Sequence, residues 1–397
     1  MTPSERRASA SLAAIFAMRM LGLFLVLPVF ALEARRYPGG DDPALIGLAM
    51  GIYGLTQGLL QIPFGLASDR CGRKRVIVFG LLVFAAGSLV AAAAPSLHTL
   101  ICGRALQGAG AVSAAVTALL ADQTRDGVRT KAMALIGASI GLMFALSLVA
   151  APLLAAHIGL AGLFGLTAAL ALAGVAVVLW WTPAEPARTA DRPPGRLREV
   201  LLHPALLRLN VGVFVLHAVQ LAMWVAVPAL LLQAGIGADQ HWRVYLPVVL
   251  ASFAVMGFTL FPLERRGYLR AVFLVSVGLI AAVQLGLVWA ARAPTPWALG
   301  LLLLLFFCGF NVLEASQPSM VSRVAPVHAR GAALGVYNTL QSLGFFAGGA
   351  VGGWLFKGVG VQGLFAACAA AMLLWLVVAW PMRAPRPTGS DPRVLAT

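Results

Sequence analysis

Long apolar stretches alternate with short polar segments along the whole chain, and twelve of the stretches contain few or no charged residues. Each is about 20 residues or longer, enough to cross a hydrocarbon core of roughly 30 Å as a helix. They lack the alternating pattern of a barrel strand, and only helices and closed barrels satisfy every backbone group in lipid. We therefore predict an all-α integral membrane protein with twelve transmembrane spans. The spans cover residues 9–32, 43–67, 75–95, 98–121, 130–154, 159–181, 205–232, 243–262, 269–291, 296–320, 331–355 and 360–381.

A polar segment at 182–204, rich in proline and arginine, divides the spans into six and six. Proline disfavours regular helix and strand, so this composition predicts a flexible cytoplasmic linker. We expect four regions along the chain. They are an N-terminal six-helix bundle at 1–182, the linker at 183–204, a C-terminal six-helix bundle at 205–382 and a short cytoplasmic tail at 383–397.

The two halves repeat short motifs at matching places. The sequence DRCG follows the second span and ERRG follows the eighth, whereas RTKAMA opens the fifth span and RGAALG opens the eleventh. Parallel repeats of this kind are known among secondary transporters, whose substrate site lies between the halves near mid-membrane. The repeats therefore predict two pseudo-symmetric bundles with a site between them.

Composition and charge placement narrow the class of protein. The chain is 60% hydrophobic and 11% charged, whereas a soluble protein is roughly 25% charged. The net charge of +15 would suit a nucleic-acid partner, but 22 of the 29 basic residues lie on one side of the predicted membrane. The positive-inside rule explains this bias as orientation, with both termini in the cytoplasm. We expect no nucleic-acid partner.

Glycines form stripes on two of the predicted helices. At roughly 100° per residue, the glycines of the second span lie within about 60° of one another. Such stripes let helices approach closely, either as static packing or as a smooth seam between helices that rock. The stripes consist of Gly47, Gly51, Gly54, Gly58 and Gly65 on the second span and Gly344, Gly348 and Gly352 on the eleventh.

Two motifs carry a family resemblance. The loop after the second span reads GLASDRCGRKR, and the fourth span contains RALQGAGA at 104–111. With these motifs the chain resembles the major facilitator superfamily over essentially its whole length, in particular the drug:proton antiporters. The resemblance implies a major facilitator fold and secondary active transport. The fifth span departs from the antiporter signature, since AAPLLA at 150–155 lacks the final glycines, and this leaves the direction of transport open.

The charged loop of the first motif has two interpretations. Basic residues at this position orient the loop, but orientation alone requires neither an acidic residue nor glycines. The resemblance implies a conformational latch, in which Asp69 pairs with Arg73 and faces the start of the eleventh span near Arg330, where helix amides favour a carboxylate. Asp122, at the end of the fourth span, would compete for Arg73. The predicted latch comprises Gly65, Asp69, Arg70, Gly72, Arg73, Lys74, Asp122 and Arg330.

Two arginines lie inside the spans and away from their ends. Arg19 is about ten residues, or roughly 15 Å, from the start of the first span, and Arg104 lies nearer the external end of the fourth. A charge at mid-bilayer costs at least about 2.5 kcal/mol, so both are candidates for proton coupling or for the substrate cavity. The alternative for both arginines is a structural ion pair. For Arg104 a further alternative is a side chain that reaches the membrane interface. Gln107 shares a helix face with Arg104.

Glu314 in the tenth span is the only carboxylate inside a predicted span. Proton coupling requires a group that loses and regains a proton, and a carboxyl group in an apolar setting is suited to this. The alternative is a structural bond of Asn311 and Glu314 to a neighbouring helix. His217 in the seventh span is a weaker candidate, because a single histidine is equally a hydrogen-bonded residue of the core or the cavity.

Three polar residues, Tyr53, Gln57 and Gln61, recur at every fourth position of the second span. Buried polar groups need partners. These side chains therefore either line the central cavity or bond other helices.

The leading prediction is a transporter for proton-coupled efflux of small amphipathic or drug-like molecules by alternating access. The alternative is a proton-coupled symporter or facilitator that imports a small metabolite. We expect a monomer in a bacterial inner membrane, with lipid, protons and a small-molecule substrate as its partners. The sequence contains no HExxH, no nucleotide-binding loop and no CxxC pair, so we predict no enzyme activity, no cofactor and no metal.

Overall fold

The computed structural model describes residues 1–185, 197–326 and 329–382, and every regular element in these ranges is helical. This confirms the predicted all-α membrane architecture. Residues 186–196 of the predicted linker and the predicted tail at 383–397 lie outside the described residues. The helices are α1 (Pro3–Glu33), α2 (Pro43–Cys71), α3 (Arg73–Ala92), α4 (Leu97–Ala109), α5 (Ser113–Asp122), α6 (Asp126–Ala176, continued by a π turn at Val177–Trp181), α7 (Leu197–Leu201), α8 (Pro204–Gln233), α9 (Trp242–Arg265), α10 (Leu269–Ala290), α11 (Pro296–Val324) and α12 (Arg330–Ala379).

Ten helical segments of the described chain are long and apolar enough to cross a membrane. Two of them are unusually long, with 51 residues in α6 and 50 in α12. A straight helix of that size would run about 75 Å, more than twice the thickness of a hydrocarbon core. Each contains one left-handed glycine, Gly159 with φ 63° and Gly360 with φ 71°, where other residues would be strained. These bends divide each long helix into two spans, so the ten segments account for the twelve predicted spans.

The fourth span is broken, which the hydropathy pattern did not predict. Helix α4 ends at Ala109 and α5 begins at Ser113, and the residues between them lie outside regular helix. A Cβ on Gly110 would collide with the carbonyl oxygen of Gly80 on α3. The break therefore lies where two backbones touch, and it places a helix start inside the membrane-spanning region.

Helix packing defines the boundary between the predicted halves. In the first half, α1 packs along α6, α3 packs on α4 and α6, and α2 packs on α4. In the second half, α8 and α10 pack on α12, and α9 and α10 pack on α11. The halves meet mainly where α2 contacts α12, where α6 contacts α9 and where α1 contacts α8.

The boundary between α2 and α12 is a seam of glycines. A Cβ on Gly51 would lie 2.7 Å from the carbonyl oxygen of Phe346, and a Cβ on Gly349 would lie 2.7 Å from the Cα atom of Gly51. A Cβ on Gly353 would lie 2.8 Å from the Cα atom of Gly47. Real Cβ contacts are essentially never shorter than 3.0 Å. The two backbones therefore touch, and larger residues would push the helices apart.

The same two helices separate toward the end of the bundle that carries Asp69, which we call the Asp69 end. A Cβ on Gly65 of α2 would meet only Ala114 of α5, at 3.6 Å. On α12, a Cβ on Gly331 or Gly335 would have no neighbour within 4 Å among the described residues, apart from the helix's own backbone. The seam is therefore confined to the opposite part of the two helices.

The boundary between α6 and α9 opens in the same direction. A Cβ on Gly141 would lie 3.8 Å from the ring of Phe253, whereas one on Gly137, a turn nearer the Asp69 end, would have no described neighbour within 4 Å. A cleft between the halves is thus open at the Asp69 end. It is closed at the opposite end, which carries Asp42 and which we call the Asp42 end.

An ion pair joins the halves at the Asp42 end. Lys357 Nζ of α12 donates to Asp42 Oδ2 at 2.7 Å, and Asp42 Oδ1 accepts from the backbone N–H of Ala44 at 2.9 Å, which caps α2. The bond from Lys357, and after it the bond from Ala44, hold the pKa of Asp42 below its ordinary value. A lowered carboxyl pKa means that the pair stabilises this closed end above the ordinary carboxyl pKa and loses the effect as the pH falls.

Lys357→Gln is expected to increase opening at the Asp42 end, because it removes an ion pair between the halves. Exposed ion pairs contribute at most about 1 kcal/mol, so the ratio of open to closed forms should rise by no more than about fivefold. The measurement is the labelling rate of Leu45→Cys in a cysteine-free background. Wild type should approach the variant below about pH 4. Arg292→Gln, which removes an exposed charge from the same end, is the control, and equal rates for Lys357→Gln and wild type at neutral pH would contradict the assignment.

Candidate functional site

Arg73, the first residue of α3, joins two acidic residues from different helices. Its NH1 atom lies 2.5 Å from Asp69 Oδ1 on α2, and its Nε donates to Asp122 Oδ2 at the end of α5 at 3.2 Å. NH1 also donates to Ser68 Oγ at 2.7 Å. Gly72, with φ 105°, provides the left-handed turn between α2 and α3. In this conformation one arginine is therefore shared by the two acids that were predicted to compete for it.

The start of α12 lies apart from Asp69, unlike the predicted contact near Arg330. The Asp69 side chain is 55% exposed, and within the described ranges no hydrogen bond or ion pair joins it to Arg330, which is exposed as well. A Cβ on Gly65 would be at ordinary contact distance from its neighbour, so the close approach predicted for this glycine is also not present. The open cleft is the physical reason for both differences. Arg70 is exposed at the same surface.

Sequence reasoning missed Glu185, which caps α3 from the start of the predicted linker. Its two carboxylate oxygens accept from the backbone N–H groups of Arg73 at 3.1 Å and Lys74 at 2.6 Å. Lys74 Nζ in turn donates to the carbonyl oxygen of Thr182 at 2.6 Å. The linker is thus bonded directly to the residue that holds both acids. Glu185 is the first acidic residue after the sixth span, in an otherwise basic segment, and this signal could have identified it.

The matching loop of the other half keeps an ion pair with different residues. Glu264, in the ERRG sequence that corresponds to DRCG, lies 2.5 Å from the guanidinium of Arg323. Arg323 lies near the end of α11, as Asp122 lies at the end of α5. The two halves therefore repeat the loop geometry, but the second half has a basic residue where the first has an acid.

Arg19 of α1 is buried between α2 and α5, with 2% of its surface exposed. NH1 donates to Ser113 Oγ at 2.9 Å and NH2 donates to Tyr53 Oη at 2.8 Å. The guanidinium carbon lies 5.6 Å from the centre of the Phe84 ring. Nε is buried and has no hydrogen-bond partner in the described part of the chain. Both hydrogen-bond acceptors of Arg19 are therefore neutral hydroxyl groups.

Arg104 of α4 is buried as well, with 4% of its surface exposed, so it does not reach the membrane surface. Nε and NH2 each donate at 3.3 Å, to the carbonyl oxygens of Ala49 and Met50 on α2. NH1 donates to Gln107 Oε1 at 2.8 Å, and the amide of Gln107 donates to Ser88 Oγ at 2.7 Å. Arg104 therefore bonds α4 to α2, with Gln107 extending the network to α3.

Tyr53 lies between the two arginines. Its hydroxyl accepts from Arg19, and its ring centre lies 5.0 Å from the guanidinium carbon of Arg104. Gln57 is half-buried, whereas Gln61 is buried and its Oε1 atom has no hydrogen-bond partner among the described residues. Of the three polar residues on this face, Tyr53 is the one that contacts charged groups.

Glu314 of α11 contacts residues from two other helices. Its Oε2 lies 3.2 Å from His217 Nε2 on α8. Gln341 Nε2 on α12 lies 3.2 Å from Glu314 Oε1 and 2.8 Å from His217 Nε2. Asn311 instead donates to Ser252 Oγ on α9 at 2.9 Å, so Asn311 and Glu314 bond different helices. Sequence reasoning missed Gln341, although a glutamine inside an apolar span is itself a signal.

The contact between His217 and Glu314 requires a proton. His217 Nδ1 lies 2.8 Å from the carbonyl oxygen of Val213, which can only accept, so Nδ1 carries a hydrogen. Nε2 and Glu314 Oε2 then attract each other only if one of them is protonated. With the Gln341 amide nitrogen facing Nε2, a proton on Glu314 would share the single lone pair of Nε2 with the Gln341 amide. Rotation of that amide would instead present its oxygen to a protonated imidazole, so the cluster has a place for the proton on either group.

Asp69→Asn is expected to weaken closure of the Asp69 end. Asparagine keeps the shape of the side chain but removes the negative charge, which attracts Arg73 and, as the cleft closes, the start of α12. The loss of about 1–3 kcal/mol corresponds to about 5- to 150-fold in the ratio of closed to open forms. Gly335→Cys, placed in the open cleft, should therefore be labelled faster in Asp69→Asn than in an otherwise wild-type background. Asp122→Asn should change the ratio of closed to open forms differently from Asp69→Asn, because it removes the competing acid and leaves Arg73 paired with Asp69 alone.

Arg266→Gln is the control for this experiment, since it removes an exposed charge from the equivalent loop of the other half. Its labelling rate should match that of wild type. An unchanged rate in Asp69→Asn would show that the charged loop only orients the chain.

Known proteins resemble this chain over most of its length. The Major Facilitator Superfamily model matches residues 10–348 and 262–395. The inner membrane transport protein YajR of Escherichia coli K12 is 45% identical over 390 residues, 97% of this chain and 85% of YajR. The multidrug resistance protein MdtH of Aeromonas salmonicida is 28% identical over 359 residues, 87% of this chain and 86% of MdtH. The crystal structure of a D-xylose-proton symporter superposes with a TM-score of 0.77 at 14% identity, covering 95% of this chain and 98% of the symporter, which shows a shared fold.

Proposed function

Because this chain belongs to the Major Facilitator Superfamily, and is a multi-pass inner-membrane transporter rather than an enzyme, we propose that it exports small amphipathic molecules in exchange for protons. Transport would proceed by alternating access of the two six-helix halves, 1–182 and 205–382. The Asp69 end would face the cytoplasm, as the distribution of basic residues favours. The protein would work as a monomer.

The single observation that carries the proton coupling is the contact between Glu314 and His217. It needs one proton to be favourable, and the Glu314 Oε2 atom in this contact is buried although 39% of the whole side chain is exposed. The three residues of this cluster come from three helices, α8, α11 and α12. A change of protonation would therefore alter bonds between helices, which is what coupling to a conformational change requires.

Export is supported by two observations. The fourth span carries the RALQGAGA motif that resembles drug:proton antiporters, and several relatives are named as multidrug resistance proteins. The fifth span lacks the last glycines of the antiporter signature. This departure favours the second candidate function, which is proton-coupled import or facilitated uptake of a small metabolite.

The charged loop would act as the latch of this cycle. In the open conformation Arg73 holds Asp69 and Asp122 together. When the cleft closes, the start of α12 would approach Asp69, and Arg73 would be left to Asp122. Glu185 would link this exchange to the linker, because it accepts from the backbone of Arg73.

Inside-out vesicles with an imposed pH gradient test the function and its direction. We expect an acidic interior to drive accumulation of an exported compound from a panel of amphipathic cations, anions and neutral molecules. Accumulation driven only by an alkaline interior would indicate proton-coupled import. The same panel, applied to deletion and overexpression strains, would identify the compounds that depend on this protein.

Glu314→Gln is expected to abolish accumulation against a gradient while leaving downhill exchange of substrate, because a glutamine keeps hydrogen bonds but cannot exchange a proton. The measurement is flux in proteoliposomes with and without the pH gradient. Asp239→Asn, which neutralises an exposed acid in the loop before α9, is the charge-matched control and should behave as wild type. Normal gradient-driven accumulation in Glu314→Gln would remove this residue from the coupling mechanism.

A further inference from the structure

Arg19 has unused capacity to donate hydrogen bonds. Its guanidinium has five N–H groups, and its acceptors are the hydroxyls of Ser113 and Tyr53. Its Nε atom is buried without a partner in the described part of the chain. A hydroxyl group both accepts and donates hydrogen bonds. Arg19 can therefore move away from Ser113 or Tyr53 without leaving behind a buried group that can only accept a hydrogen bond.

Arg104 differs from Arg19 in this respect. Its acceptors are two backbone carbonyl oxygens and the side-chain oxygen of Gln107, all of which are parts of the helix packing. Moving Arg104 would break its bonds from α4 to α2 and would take the arginine donor away from the buried Gln107 Oε1. Arg104 is therefore committed to the structure, whereas Arg19 is available to a ligand.

A helix start lies beside Arg19. Ser113 is the first residue of α5, and the preceding residue, Val112, offers no side-chain acceptor for the first turn. The first amides of a helix have no partner inside the helix and carry a partial positive charge. Half-helices that begin inside a membrane protein are known to bind anionic groups of transported substrates in this way. Ser113 is half-buried, as is Thr117 one turn later, so this side of α5 is not closed off by protein.

The first half of the chain has no acidic residue within its six predicted spans, whereas Arg19 and Arg104 both lie inside them. An unpaired cation in this part of the membrane is costly, and a bound anion would reduce that cost. A cationic substrate would meet two fixed positive charges instead.

We propose that Arg19, Tyr53, Ser113 and the start of α5 bind the carboxylate of an organic anion, which is the substrate class of this transporter. This assignment rests on the proposed transport function. The guanidinium and the hydroxyls of Tyr53 and Ser113 donate to the carboxylate oxygens, and the substrate's apolar part lies outside this cluster. Arg104 keeps α4 in place and does not contact the anion.

Binding of benzoate and 1-naphthoate to the full-length protein in nanodiscs tests the assignment, with benzamide and benzylamine as neutral and cationic comparators. We expect both carboxylates to bind and both comparators to bind at least tenfold more weakly. Arg19→Gln should weaken benzoate binding at least tenfold, and Arg19→Lys should restore part of the loss. Arg292→Gln removes an exposed arginine that stacks on Trp289 and serves as the control with unchanged affinity.

If Arg19→Gln does not fold, the double variant Tyr53→Phe, Ser113→Ala keeps the arginine and removes both hydroxyl donors, and it should weaken benzoate binding several-fold. Benzoate affinity that is unchanged in Arg19→Gln, or in the double variant, would overturn the assignment, as would equal affinity for benzamide. If protons drive transport of cations and no anion binds in an Arg19-dependent way, the anion site is refuted and the proposed transport function is not. Arg19-dependent anion binding without any proton-driven flux would refute the proposed function and leave the anion site standing.

Discussion

Direct contact between the backbones of α2 and α12 is the constraint on which the arrangement of the two halves depends. Lipid is as apolar as the helices, so the association of the halves relies on close packing rather than on the hydrophobic effect. Glycines at 47, 51, 349 and 353 provide that packing, because even a methyl group at these positions would meet backbone atoms at less than 3.0 Å. The contact is limited to the part of the helices near the Asp42 end, and the cleft at the Asp69 end follows from their divergence. A smooth seam of this kind would also let one half rock against the other, as the proposed alternating access requires.

The buried charges are divided unequally between the halves. The first half holds two guanidinium groups whose partners are neutral oxygens and aromatic rings. The second half holds one carboxylate beside a histidine, in a contact that needs a proton. Fixed positive charge suits recognition, since arginine does not titrate, and the carboxylate–imidazole pair suits proton exchange. The two tasks of a proton-coupled transporter would thus be assigned to opposite sides of one cleft.

Much of the fold follows from hydropathy, and the individual contacts do not. The apolar runs predicted every span, and even the bends at Gly159 and Gly360 fall where the runs were divided. The break before Ser113 was missed because the residues around it are small and apolar, so they leave no trace in a hydropathy pattern.

The pairing of Arg73 with Asp69 and Asp122 was predictable from a family motif. Glu185, Gln341 and Ser113 were not assigned roles, because their partners lie far away in sequence and are brought near only by packing. The predicted approach of Asp69 to α12 is not present in this open conformation, and it stays a prediction for a closed one.

The central claim is that the halves pivot on the glycine seam, so that the Asp69 end opens and closes. Double electron–electron resonance between labels on Cys71, which is exposed at the end of α2, and on Gly331→Cys at the start of α12 measures this opening directly. The other cysteines, Cys102, Cys308 and Cys368, would be replaced by alanine. We predict two distance populations, the longer one corresponding to the open cleft, whose ratio changes with pH and with added substrate. A single distance that does not change with pH or with added substrate would contradict the account.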